Sequence, residues 1–220
     1  MHSTLVNLNE IKKKIQLKIQ EQENLFKLPK IIAVSKTHTM ENILPLINYG
    51  HLDFGENKVQ EALEKWTEVK DSNKNIKLHL IGKLQTNKVK IAVKIFDYIH
   101  SLDNEKLANK IADEQIKQDK KIKIFIQINI GNENQKSGIT KKNIREFYEY
   151  CKELDLDVIG TMCIPPKEGN AKSYFVEMNK INKDLNLLEL SMGMSEDYME
   201  AAENHSTFIR IGSKIFGQRN

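Results

Sequence analysis

Apolar residues in this chain come in two rhythms. Short continuous runs lie near 31–35, 52–55, 77–81, 97–100, 122–128, 157–162, 188–191 and 207–211, and these predict buried strands. Between them, apolar positions recur every three or four residues near 41–49, 57–69, 86–94, 104–118, 141–153, 170–185 and 195–204, the spacing of helices with one buried face. An amphipathic helix over 4–26, with Leu8, Ile11, Ile15 and Ile19 on one face, precedes the alternation. The second and seventh strands are the shortest. Strands alternating with helices predict a parallel sheet with right-handed crossovers. Eight is the number that closes a TIM-type barrel. A doubly wound open sheet is the alternative, but eight parallel strands are many for this length. The expected fold is therefore α/β, a single (β/α)8 barrel with an extra N-terminal helix, one domain over residues 1–220.

Composition narrows the classes of function. The 220 residues are 40% hydrophobic and 29% charged, as expected of a soluble globular protein. The net charge of +4 comes from lysines spread along the chain, without interleaved aromatics or a nucleic-acid motif, so it reads as solubilising. Cys151 and Cys163 form no CxxC pair and read as reduced packing residues. The six histidines show no metal-ligand spacing. No apolar run suggests a signal peptide or a membrane span, and a cytoplasmic protein is expected. No strip of exposed apolar residues asks for a partner, so a monomer is expected.

The ends of the predicted strands are rich in polar groups, and in such a barrel the chemistry lies at those C-terminal ends. The first strand, Ile31-Ile32-Ala33-Val34-Ser35, runs into Lys36. The second reaches Asn57, a candidate cap for the helix that follows, and the seventh reaches Ser191. Ser195, with Glu196 and Asp197 behind it, reads as the cap of the seventh crossover helix. The eighth gives Arg210-Ile211-Gly212-Ser213, followed by Lys214-Ile215-Phe216-Gly217, where a short helix is expected. Barrel closure sets strand eight beside strand one, so Lys36 and Arg210 become neighbours. A glycine and the free N–H groups of a helix start suit phosphate, in the usual phosphate position of TIM barrels. Ser191 is positioned to add a hydroxyl. A lysine amine freed of its proton by desolvation attacks aldehydes to form a Schiff base. Phosphate and amine together suit a phosphorylated aldehyde, and pyridoxal 5'-phosphate (PLP) carries both groups on one ring.

The segments AVSKTHT (33–39), FGENKVQE (54–61), HLIGKLQTNK (79–88), HSLDNEKLA (100–108), INIGNENQKSGI (128–139), DVIGTMCIPP (157–166), LSMGMSEDYMEAAENHST (190–207) and RIGSKIFGQR (210–219) span nearly the whole chain. In them the sequence resembles the YggS/PROSC family of pyridoxal phosphate homeostasis proteins. That resemblance implies a barrel like the N-terminal domain of alanine racemase, with PLP held as an imine on Lys36. It implies that Arg210 faces the pyridine ring, that Gly212, Ser213 and Ser191 contact the phosphate, and that Asn57 lies near the ring. It further implies a role in PLP balance. Leu80, Lys83 and Cys163 depart from the commoner family pattern and are none of these residues.

Two functions follow. The first is a PLP carrier without turnover, with PLP-dependent apo-enzymes as the recipients. An arginine opposite the pyridine nitrogen leaves that nitrogen unprotonated and the ring a weak electron sink, whereas most PLP enzymes place an acid there. The second is a racemase-like PLP enzyme, which needs an acid/base on both faces of the substrate. The six tyrosines fall on helices or inside a strand, leaving His38 and His79 as substitutes. A class I aldolase acting through Lys36 lacks an evident partner for sugar hydroxyls. Lys136, in a Gly- and Asn-rich loop, reads as a solvated loop lysine, with a second PLP-accepting amine as the alternative.

Overall fold

A computed structural model describes residues 2–20, 28–133 and 135–218. The strands are β1 (Lys30–Val34), β2 (Asp53–Glu56), β3 (Lys77–Leu80), β4 (Tyr98–Leu102), β5 (Lys123–Ile128), β6 (Val158–Cys163), β7 (Glu189–Ser191) and β8 (Phe208–Ile211). They pair in sequence order, all parallel, and β8 pairs with β1 through Ile32 and Arg210 among others, closing the barrel. The closed (β/α)8 architecture is the one expected. The helices are α1 (Ser3–Gln20), α2 (Met40–Asn48), α3 (Val59–Ser72), α4 (Val89–Ile95), α5 (Glu105–Gln118), α6 (Ile144–Glu153), α7 (Ala171–Asp184), α8 (Tyr198–Glu203) and α9 (Ser213–Phe216). Short 3-10 turns lead into α4 and α6. The expected extension of the first helix to residue 26 lies outside the described residues, as do Asn134 and Arg219 of the quoted motifs.

Local sequence explains the helix boundaries. On α1 the buried residues Thr4, Leu8, Ile11, Ile15 and Ile19 make one stripe. Asn104 caps α5 by accepting a hydrogen bond from the Leu107 amide, and Asn170 caps α7 through the Lys172 amide. Two expected caps are corrected. Ser195 caps nothing: α8 starts only at Tyr198, and the Asp197 carboxylate folds back to accept from the Met194 amide. Asn57 is likewise one residue too early, since Lys58 precedes α3 and Asn57 turns toward the barrel mouth.

Strand alternation builds two cores. Outward residues such as Ile31, Ala33, Ile124, Ile126, Ile209 and Ile211 pack under the helices. Inward residues Ile32, Tyr98, Phe125, Met162 and Phe208 fill the barrel. That interior also holds His79, His100, Ser191 and Arg210, all buried. It is thus more aromatic and polar than the branched aliphatic filling common in such barrels. At the N-terminal mouth the Lys30 ammonium sits over the Phe208 ring and the Lys123 ammonium over Tyr98, 5.2 and 5.7 Å from the centroids. Helix α1 packs on α9, where Asn7 Nδ2 donates to the Ile215 carbonyl at 2.9 Å.

Cys151 and Cys163 are buried free thiols, as expected for packing residues, and burial pushes both up to about 12.

Candidate functional site

A cavity of about 560 Å³ opens at the C-terminal mouth of the barrel. That volume lies in the range of small-molecule sites. Its polar walls are Lys36, Asn57, Arg210 and Ser213, with Gly212 beside them; Val34, Ile81, Ile164 and Met194 supply the apolar walls. Five of the six residues singled out in the sequence therefore meet at one place.

Lys36 lies two residues beyond β1 in a tight turn. The next residue, Thr37, has φ +65°, an unusual conformation for a β-branched residue. The turn is held from behind. The Thr37 amide donates to Glu61 Oε1 at 2.5 Å, and Lys65 Nζ bridges Glu61 Oε1, Glu56 Oε1 and the Ser35 carbonyl at 2.9–3.0 Å. Glu56 Oε1 also accepts from Ser35 Oγ at 2.7 Å and from Trp66 Nε1 at 3.0 Å. A buried carboxylate with this many donors fixes the start of the turn that carries the lysine. Asn57 follows Glu56 directly. A Cβ on Gly82 would meet the Asn57 backbone at 2.4 Å, so only glycine lets the loop after β3 close on it.

Arg210 projects inward from β8. Its Nη1 donates to Ser191 Oγ at 2.7 Å and its Nη2 to the Cys163 carbonyl at 2.9 Å. Burial lowers its pKa, and the Cys163 thiol and Asp197 carboxylate oppose that shift. Gly212 and Ser213 begin α9, the short helix expected there, whose first amides have no partner within the helix.

Ser191 departs from the expectation of a phosphate contact. Its hydroxyl is fully buried below the cavity, where it accepts from Arg210 and contacts His100 Nδ1 at 2.9 Å. It does not line the cavity, because the inward face of β7 ends one layer beneath the mouth. His79 is equally remote, buried between Asp53 and His100, and so is removed as an acid/base. His38 does line the cavity and stacks on Phe216 with ring centroids 4.8 Å apart. Lys136 does not line the cavity; it bridges Glu133 Oε2 and the Pro165 carbonyl at 2.5 and 3.2 Å. Sequence reasoning missed the cavity residues Met194, Ser195, Glu196 and Asp197. The rule that such sites are built from the loops after the strands would have found them, had Ser195 not been read as a cap.

Among the described residues no group of three or more His, Cys, Asp or Glu is placed to hold a metal, and no helix is long and apolar enough to cross a membrane.

The chain belongs to the alanine racemase N-terminal domain family, whose model matches residues 6–220. It is 38% identical to the pyridoxal phosphate homeostasis protein of Aquifex aeolicus, over 86% of this chain and 87% of that one. It is 34% identical to the protein of that name from Pasteurella multocida, over 97% of each. Its fold matches PipY of Synechococcus elongatus with PLP bound, at TM-score 0.79 and 30% identity over 93% of this chain and 99% of the other. An alanine racemase of Clostridium difficile shares the fold at TM-score 0.70 and 15% identity, and the chain spans 56% of that enzyme.

Proposed function

We propose that this chain holds pyridoxal 5'-phosphate at the C-terminal mouth, as a Schiff base on Lys36, and serves the intracellular balance of that cofactor. The observation that carries the reading is the convergence of Lys36, Arg210, Gly212 and Ser213 on one cavity of about 560 Å³. The donor set fits the group. Lys36 supplies the amine for the aldehyde, and Ser213 with the first amides of α9 suits the phosphate. Arg210 would supply a donor to the pyridine nitrogen, and Asn57, Ile81 and Val34, which line the cavity, would flank the ring. The names of the relatives and the PLP-bound PipY support the same reading. PLP supplies an electrophilic aldehyde and a ring that withdraws electrons; the protein decides how strongly.

Arg210 argues for holding rather than turnover. It keeps its proton, so a nitrogen facing it stays unprotonated and carbanion chemistry is disfavoured. Racemisation would need a second acid/base opposite Lys36. No described tyrosine lines the cavity, and His38 is engaged with Phe216. The mouth is open enough for an incoming amine, or a PLP-dependent apo-enzyme, to reach the bound aldehyde carbon. We take the chain to act as one monomeric, cytoplasmic PLP-binding domain.

The test is absorbance of the purified protein before and after borohydride reduction, with peptide mapping. The pyridoxyl group is expected on Lys36 and absent from Lys36→Ala. Label scattered over surface lysines would refute the site. Multiple turnover of amino acids that depends on Lys36 would replace the carrier reading with the racemase-like one.

A further inference from the structure

Beneath the cavity a line of polar side chains crosses the barrel interior. Arg210 Nη1 lies 2.7 Å from Ser191 Oγ, and Ser191 Oγ lies 2.9 Å from His100 Nδ1. His100 Nε2 lies 3.0 Å from His79 Nδ1, and His79 Nε2 lies 3.0 Å from Asp53 Oδ1. The line thus runs from the C-terminal mouth to the start of β2 at the opposite end. It uses β8, β7, β4, β3 and β2 in turn.

With both imidazoles neutral, the two ends set the direction of every bond. A guanidinium only donates, so Ser191 Oγ accepts from Arg210; a carboxylate only accepts, so each ring carries its proton on the side toward Asp53 and the Ser191 proton goes to His100 Nδ1. His100 Nδ1 is then the acceptor and Nε2 carries the proton, which it donates to His79 Nδ1. His79 in turn carries its proton on Nε2 and donates it to Asp53, a carboxylate that only accepts. One proton sits on each link and every acceptor is filled, with both imidazoles neutral. The surroundings enforce neutrality. His100 stacks on Phe125 and His79 on Tyr98, with centroids 4.3 and 4.2 Å apart, and Phe208 packs against both. Burial lowers His79, and lowers His100 well below its ordinary value.

We propose that Asp53, His79, His100 and Ser191 are positioning residues that fix the Arg210 guanidinium, and through it the hydrogen bond offered to a bound pyridine nitrogen. No net proton moves along the line. Its work is to leave Ser191 a single hydroxyl orientation, lone pair toward Arg210. With Nη1 held by Ser191 and Nη2 by the Cys163 carbonyl, the remaining guanidinium protons keep one direction, toward the cavity. The line itself rests on geometry; its consequence for the pyridine rests on the PLP reading.

Two measurements test it. In the PLP-free protein with ¹⁵N-labelled histidine, at neutral pH, long-range nitrogen–proton spectra are expected to show His79 and His100 neutral with the proton on Nε2. An imidazolium, or a proton on Nδ1 of either ring, overturns the line. In Asp53→Ala the distal acceptor is gone, and the His100 nitrogen shifts are expected to move although Asp53 does not touch it; unchanged shifts overturn the coupling. With PLP bound, Ser191→Ala is expected to move the absorbance maximum and weaken PLP binding about tenfold or more, the scale of a lost buried hydrogen bond to a charge. Ser191→Thr keeps the hydroxyl and is expected to restore both. Equal spectra and affinities for Ala, Thr and Ser would overturn the positioning role. A wild-type protein that gives the expected tautomers but binds no PLP would instead refute the site above.

Discussion

The two mouths of this barrel are built from the same residue types to opposite effect. At the N-terminal mouth, charge answers charge or ring within the protein. Lys30 and Lys123 lie over Phe208 and Tyr98, Asp53 accepts from His79, and Asp97 accepts from Lys70 and from the Leu78 amide. At the C-terminal mouth, Lys36, Asn57, Arg210 and Ser213 converge on a cavity, and the groups that hold them lie behind it. One end uses its polar groups to close the barrel, and the other turns them toward a cavity. Polarity inside a barrel is therefore no guide to function by itself. What separates the two ends is whether the polar atoms engage one another or a ring, as Lys30, His51 and Asp53 do although they also border a smaller cavity of about 390 Å³, or converge on a cavity at the barrel mouth.

That contrast breaks or sharpens on substitution. Phe208→Ala, at the closed end, should cost about 3–5 kcal/mol by urea unfolding, because it empties the centre of the aromatic layer. Lys36→Ala should change stability by no more than about 0.5 kcal/mol while abolishing covalent PLP. Similar unfolding costs for the two would erase the distinction. Glu56→Ala should come next, at about 3 kcal/mol, since Lys65, Ser35 and Trp66 lose a shared buried acceptor. Glu56→Gln, which keeps one acceptor oxygen, should recover part of that loss in the same unfolding assay.

His51 offers a smaller, pH-dependent effect at the closed end. Burial first, then the Lys12 charge, lowers it from 6.5 to about 4, and its Nε2 donates to the Asp53 carbonyl. The unfolded chain takes up this proton near its ordinary value, the folded one only near 4. Its contribution to stability is therefore full above pH 6.5 and falls as the pH drops toward about 4, by up to about 1.4 kcal/mol per unit. Unfolding curves across that window should lose part of their slope in His51→Gln. Lys123→Ala should have a small effect at the closed end, below about 1 kcal/mol, because its ammonium faces solvent on one side. A larger cost would mean that the cation over Tyr98 seals the mouth rather than decorating it.

Much of this was legible in the sequence, for physical reasons that also mark where legibility stopped. The eight apolar runs declared the strands because parallel strands are covered on both faces. Even the three-residue β7 was readable, since Leu190 and Ser191 follow a turn. Lys36, Arg210, Gly212 and Ser213 were readable because strand ends in a closed barrel share one mouth. Ser195 was misread because the same residue types serve as helix caps and as loop residues over a cavity. Ser191 was misplaced by one layer, since the height at which each strand ends depends on the barrel's stagger. The Asp53–His79–His100 line was illegible. His79 and His100 look like two unrelated histidines until strand closure brings in Ser191, 91 residues beyond His100.

Helix α9 has four residues, too few to be stable alone. It is braced by α1, which reaches it through Asn7, 208 residues earlier in the chain. If the cofactor's phosphate sits on Gly212 and Ser213 as proposed, its lifetime there is coupled to how often α1 lifts away. Fraying of the first helix would then become a release rate at the far end of the sequence, and anything that clamps α1 in place would slow the cofactor's departure without touching it.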